Sequence, residues 1–86
     1  MSEIVSPKSV EDRVYRIVAE LFTIPIQNVT LESSPDTIAE WDSVGHLNLV
    51  LTLEKEFGVR FSTQQIDQLS NVRKIVGLLA QMNTGN

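Results

Sequence analysis

From Ser43 to Phe57 the chain runs without a proline, and its apolar residues fall on two separate sides of one helix. At about 100° per residue, Leu49, Val50, Leu53 and Phe57 share an arc that also holds His46. Val44, Leu47 and Leu51 form a second stripe well around the helix from the first. Gly58 follows, the residue type that most often closes a helix. One stripe must face a neighbouring helix. The other is buried by the same small domain or left as a surface for another protein. A chain of 86 residues has few other elements to cover it, so partial exposure is expected.

The flanking sequence supplies those elements. Ser6-Pro7 suits a helix start, because proline is tolerated at the first helical position. Ser9 with Asp12 three residues on is an alternative start resembling a capping box. Val10, Val14, Ile17, Val18, Leu21 and Phe22 then recur at helical spacing, which predicts a helix over about 8–22. Pro25 biases Ile24 out of helical angles and ends it. The stretch from there to Asp42 has loop composition and is long for a compact domain. Ile26, Val29, Leu31, Ile38 and Trp41 punctuate it and suggest that it is pinned across the helices. Trp41 reads as a core plug or as a wall beside Ser43.

After the helix over 43–57, Ser62 can cap a short one over 63–68, anchored by Ile66 and Leu69. Ser70-Asn71 makes a further break. Val72, Ile75, Val76, Leu78 and Leu79 predict a last helix over about 72–82, with residues 83–86 as a frayed tail. The expectation is a single all-α domain over 1–86: a four-helix bundle of three longer helices and a short third one, with a long first connection.

Several kinds of chemistry are excluded at this stage. Without cysteine there is no disulfide or thiolate metal site, and one histidine does not make a metal centre. No apolar run approaches the roughly 20 residues that cross a bilayer. The opening residues lack the pattern of a signal peptide, so a cytoplasmic protein is expected. A net charge of −4 argues against nucleic acid as a partner.

Ser43 stands where a polar loop becomes a helix. Unpaired N–H groups and the positive end of the dipole make such a position hospitable to phosphate. The plainer reading is that Ser43, or Asp42 beside it, is an N-cap. A Ser-His-Asp hydrolase is not supported. His46 can neighbour Ser43, but Asp42 does not naturally orient the imidazole, and no oxyanion site is evident. His46 reads as a half-buried packing residue with one nitrogen satisfied, or as part of a pocket mouth. Glu54 is the better of the late acidic residues for pairing with a partner's arginine or lysine.

Asp42-Ser43-Val44, followed by an apolar helix ending in Leu53-Glu54-Lys55-Glu56-Phe57-Gly58, resembles the acyl carrier protein family. That family's motif is Asp-Ser-Leu at the start of the second helix, with Leu-Glu-x-x-Phe downstream. The likeness extends from the first helix to Leu79, including the long loop and the short third helix. It implies that Ser43 receives 4′-phosphopantetheine from coenzyme A through a phosphopantetheinyl transferase, which supplies the base and Mg²⁺. It also implies that acyl groups are then carried as thioesters. By the same resemblance Asp42 lies near the metal during transfer. Val44, Leu47 and Leu51 match positions that partner enzymes contact, and Asp42 and Glu54 are expected to join them in partner recognition. Leu49, Leu53 and Phe57 match core positions, and His46 matches a position near the mouth of the family's acyl pocket. An acyl chain folding back between the second and third helices is then expected to be lined partly by His46, Leu53, Ile66 and Leu69.

The sequence departs from the family pattern in places. Val44 replaces leucine, and Trp41 stands where a small residue is common. Gly45, Asn48, Lys55, Gln64 and Gln65 occupy positions often acidic in fatty-acid carriers. The expected protein is a monomeric, non-catalytic carrier that serves acyl-activating, synthase or transferase enzymes in fatty-acid, polyketide or more specialised acyl biosynthesis. A peptidyl or aminoacyl carrier and an unmodified helical interaction module are the alternatives.

Overall fold

The stripe that begins at Val10 forms helix α1, Lys8–Phe22, in the computed structural model of the chain, which describes residues 8–84. Ser6-Pro7 lies outside the described residues, and Ser9 sits within α1. Val14, Ile17, Val18, Ala19 and Phe22 are its buried face. The helix closes through Thr23, whose φ of 58° is left-handed. That turn lets the Ile24 N–H donate back to the Ala19 carbonyl at 3.0 Å, the wrap usually entrusted to glycine. Pro25 then prevents continuation.

Helix α2 spans Ser43–Phe57 and ends on Gly58 at φ 64°, whose N–H donates to the Glu54 carbonyl. Leu49, Val50 and Leu53 face inward, each worth roughly 1.5–3 kcal/mol of burial. At the far end Arg13 of α1 donates to the Glu56 carbonyl at 2.8 Å while its guanidinium covers the Phe57 ring at 4.2 Å. A cation is favoured there because the last carbonyls of a helix are unpaired and its dipole is negative.

Helix α3, Thr63–Gln68, starts with the cap expected at Ser62, extended to a full capping box: Gln65 N–H donates to Ser62 Oγ, and Ser62 N–H to Gln65 Oε1. Helix α4 is Val72–Thr84. Its backbone stays helical through Asn83 and Thr84, which corrects the expectation of a tail from residue 83. After Gly77 no glycine or proline intervenes before Gly85 to stop it; Gly85-Asn86 lie outside the described residues. Among the described residues the elements are all helical. α1 packs against both α2 and α4, and the core lies between them, closed by Leu69, Ile75 and Leu79.

The long connection is pinned, as its apolar residues suggested. Val29, Ile38 and Trp41 are buried, and Ile26–Asn28 form a 3₁₀ turn that the spacing did not reveal. The loop also caps α4. Val72 N–H donates to the Ser33 carbonyl at 3.0 Å and Arg73 N–H to the Leu31 carbonyl at 2.9 Å. Asn71 takes the next two, Lys74 N–H on Oδ1 at 2.8 Å and Ile75 N–H on its carbonyl at 3.2 Å. The three helical donors orphaned at that start, the N–H groups of Val72, Arg73 and Lys74, therefore find acceptors, and Ile75 makes the first bond of the helix itself.

Candidate functional site

The position of Ser43 is set by the residue two further on. A Cβ on Gly45 would lie 2.3 Å from the Glu40 carbonyl oxygen and 3.0 Å from Phe22 Cε1. Only a glycine lets the loop pass this close beneath the first turn of α2. Asp42 then caps the helix, its Oδ1 accepting from Gly45 N–H at 2.8 Å and its carbonyl from His46 N–H at 2.7 Å. Asp42, not Ser43, is the N-cap. Ser43 is the first helical residue and is exposed. Among the described residues its hydroxyl makes no hydrogen bond, and the Ser43 and Val44 N–H groups are unpaired. A free hydroxyl and free amides thus share the positive end of a helix, where an attached phosphate is electrostatically favoured.

Beneath this end lies an aromatic stack. Trp41 is 1 % exposed and stacks on Phe22, centroids 5.7 Å apart, and on His46 at 6.3 Å. Its Nε1–H points at His46 Nδ1, 2.9 Å away. An indole N–H only donates, so Nδ1 must accept and the ring proton sits on Nε2. That nitrogen donates to the Ile66 carbonyl at 3.1 Å. Both nitrogens are therefore satisfied, where the sequence suggested one. His46 links the loop, α2 and α3, and neither nitrogen is left to activate Ser43.

A groove of about 610 Å³ opens beside the serine, walled by Trp41, Ser43, His46, Leu47, Ile66 and Leu69. His46, Ile66 and Leu69 thus meet as the sequence grouped them. Leu53 does not join them. Two turns past His46 on the same arc, about 10 Å along the axis, it is completely buried in the core. Glu54 is also turned inward: its Oε2 accepts from the Phe61 N–H at 2.9 Å, tying α2 to the connection before α3. Val44, Leu47 and Leu51 point outward, 67 %, 58 % and 61 % exposed.

Sequence reasoning missed Gly45 and the Trp41–His46–Ile66 chain. A glycine in the first turn of an otherwise apolar helix was a usable hint, since helix propensity disfavours it. The Ile66 carbonyl, a backbone group 20 residues from His46, left no such mark. Among the described residues, no three His, Asp or Glu side chains are grouped to hold a metal ion, and no helix is long and apolar enough to cross a membrane.

Comparison with known proteins covers most of the chain. Residues 12–79 match the family model described as "Phosphopantetheine attachment site". An acyl carrier protein of Coprothermobacter proteolyticus is 29 % identical over 63 residues, covering 73 % of this chain and 77 % of that protein. One from Petrotoga mobilis is 26 % identical over 70 residues, covering 81 % and 82 %. One from Buchnera aphidicola subsp. Acyrthosiphon pisum (strain APS) is 24 % identical over 76 residues, covering 88 % and 95 %.

Proposed function

The chain belongs to the phosphopantetheine-attachment family of acyl carrier proteins, and from that membership we propose that Ser43 is the attachment residue of a carrier that moves acyl groups between enzymes without transforming them. Membership implies a covalently attached 4′-phosphopantetheine. When bound, that group supplies a terminal thiol on a flexible arm, which a chain without cysteine lacks, so that acyl groups are held as thioesters.

The observation that carries the assignment is the exposed Ser43 hydroxyl, unpartnered among the described residues, at the first position of α2 and inside the matched region. The surroundings fit the group. The amides of Ser43 and Val44 favour a phosphodiester at the same point. Asp42, fixed by its capping bond, keeps one carboxylate oxygen for the metal ion that a phosphopantetheinyl transferase brings. The serine needs no base of its own, because the transferase provides it.

Val44, Leu47 and Leu51 offer the surface that the transferase and the acyl-activating, synthase or transferase enzymes dock on. Glu54 belongs to that surface less than its place on the helix suggested, with one oxygen committed to Phe61. The groove lined by His46, Ile66 and Leu69 receives the arm or the acyl group; Leu53 stands behind it. Asn48 and Lys55, exposed where fatty-acid carriers are often acidic, favour a specialised acyl pathway, of fatty-acid, polyketide or aminoacyl chemistry, over the housekeeping one. The carrier acts as a soluble monomer in the cytoplasm.

The test is an intact-mass measurement after incubating the apo-protein with coenzyme A, Mg²⁺ and a broad-specificity transferase. Wild type gains one phosphopantetheine and Ser43→Ala gains none. An unchanged wild type beside a modified control carrier would instead support an unmodified helical interaction module. Loading of the holo-protein by fatty-acid-selecting or amino-acid-selecting enzymes then separates an acyl from an aminoacyl carrier.

A further inference from the structure

The exposed flank of α2 carries no carboxylate of its own. Val44, Leu47, Asn48, Leu51 and Lys55 follow one another at helical spacing and are all exposed. The stripe is apolar at the serine end, neutral in the middle and basic at the far end. The carboxylates nearest to it are engaged within the molecule. Asp42 Oδ1 holds the Gly45 N–H, Glu54 Oε2 holds the Phe61 N–H, and Glu56 pairs with Arg13 at 3.7 Å on the side of α1. The outward residues of α3 are Thr63, Gln64, Asp67 and Gln68, and Asp67 opens on the groove. Lys55 has no ion-pair partner among the described residues.

A basic docking surface would find no carboxylate on the stripe itself and would meet Lys55 as a like charge. An apolar one would cover three large side chains that are each more than half exposed. We propose that the enzymes docking beside Ser43 do so through an apolar surface poor in arginine and lysine, with an acidic side chain placed towards Lys55. This deepens the reading of Ser43 as the attachment residue and rests on it.

The test compares two phosphopantetheinyl transferases, one with an apolar carrier-binding surface and one lined with arginines. Each acts on the wild-type chain at 25 mM and 500 mM NaCl. The apolar enzyme is expected to be the better by about tenfold in kcat/KM, and to change by less than about twofold across the salt range, since screening acts on charge pairs and not on apolar contact. Leu51→Asn lowers its rate by about tenfold, the scale of an interface hot spot. The double variant Asn48→Glu with Lys55→Glu raises the rate of the arginine-lined enzyme. All these positions are exposed, and circular dichroism checks that the variants remain folded.

A faster arginine-lined enzyme on wild type, or a steep loss of the apolar enzyme's rate with salt, would overturn the proposal while leaving Ser43 as the attachment residue. Modification by neither enzyme, beside working control carriers, would remove the attachment reading and this one with it.

Discussion

Gly45 and Gly77 invite the same substitution with opposite outcomes. Both lie inside helices, where alanine is intrinsically favoured by about 1 kcal/mol. At Gly77 of α4 a Cβ meets nothing within 4 Å, so Gly77→Ala is expected to stabilise by about 0.5–1 kcal/mol. At Gly45 the added carbon would lie 2.3 Å from the Glu40 carbonyl oxygen, inside the 3.0 Å that real Cβ contacts respect. That oxygen is backbone and cannot swing aside, so loop and helix must separate by about 0.7 Å, a change of the size that overpacking exacts at about 1–3 kcal/mol. Less the gain in helix propensity, Gly45→Ala is expected to destabilise by up to about 2 kcal/mol. For a chain of this size that is a fall in Tm of up to about 15 °C. Urea and thermal unfolding of both variants, followed by circular dichroism, measure the pair. The shift also moves the loop under Ser43, so the modification rate of Gly45→Ala should fall at temperatures where it is fully folded. Equal stabilisation by both alanines would refute the claim that the loop's approach to α2 requires a glycine.

Three further outcomes are expected. Thr23 is β-branched and holds φ 58°, a conformation that costs an L-residue roughly 1–2 kcal/mol; Thr23→Gly should gain about 0.5–1 kcal/mol after the entropy of the unfolded glycine is counted, and a loss in urea unfolding would show that the threonine side chain has a compensating role. His46→Phe leaves the buried Trp41 N–H without an acceptor, a loss of about 1–3 kcal/mol, and should speed amide exchange in Thr63–Gln68 more than in α4; uniform loss of protection would mean that His46 does not tether α3. Tyr15, the only tyrosine, is pushed up to about 12 by burial first and by its hydrogen bond to Glu11 at 2.7 Å second. Because the folded state holds the phenol proton more tightly than the unfolded chain, the stability this contributes is complete below pH 10 and is lost between about pH 10 and 12. Ultraviolet titration should place the midpoint near the upper value in wild type and lower in Glu11→Gln.

The parts of the fold that could be read from the sequence are those governed by local periodicity. The two faces of α2 were visible because Leu49 and Leu53 recur on one arc and Val44, Leu47 and Leu51 on another, and burial follows that division. The cap at Ser62 was visible because capping is a matter of neighbouring residues. What escaped depends on distant backbone. The carbonyls of Leu31 and Ser33 cap α4 across some 40 residues of chain, and a carbonyl looks the same at every position. Leu53 was expected both in the core and in the lining of the pocket; it is core alone, because sharing an arc with His46 fixes direction and not depth. Glu54 was read as a partner contact because it projects on the side shared by Leu47 and Val50, while the amide of Phe61, seven residues on, engages one of its oxygens.

The stack under Ser43 has an optical consequence. Trp41 is the only tryptophan of the chain, sealed from water and joined to an imidazole that itself walls the groove. Indole emission is thus confined to one reporter, placed beneath the serine. Any event that displaces His46 or fills the groove changes the environment of that single fluorophore, so occupancy can be followed in unlabelled protein, in real time, by the colour and lifetime of its own light.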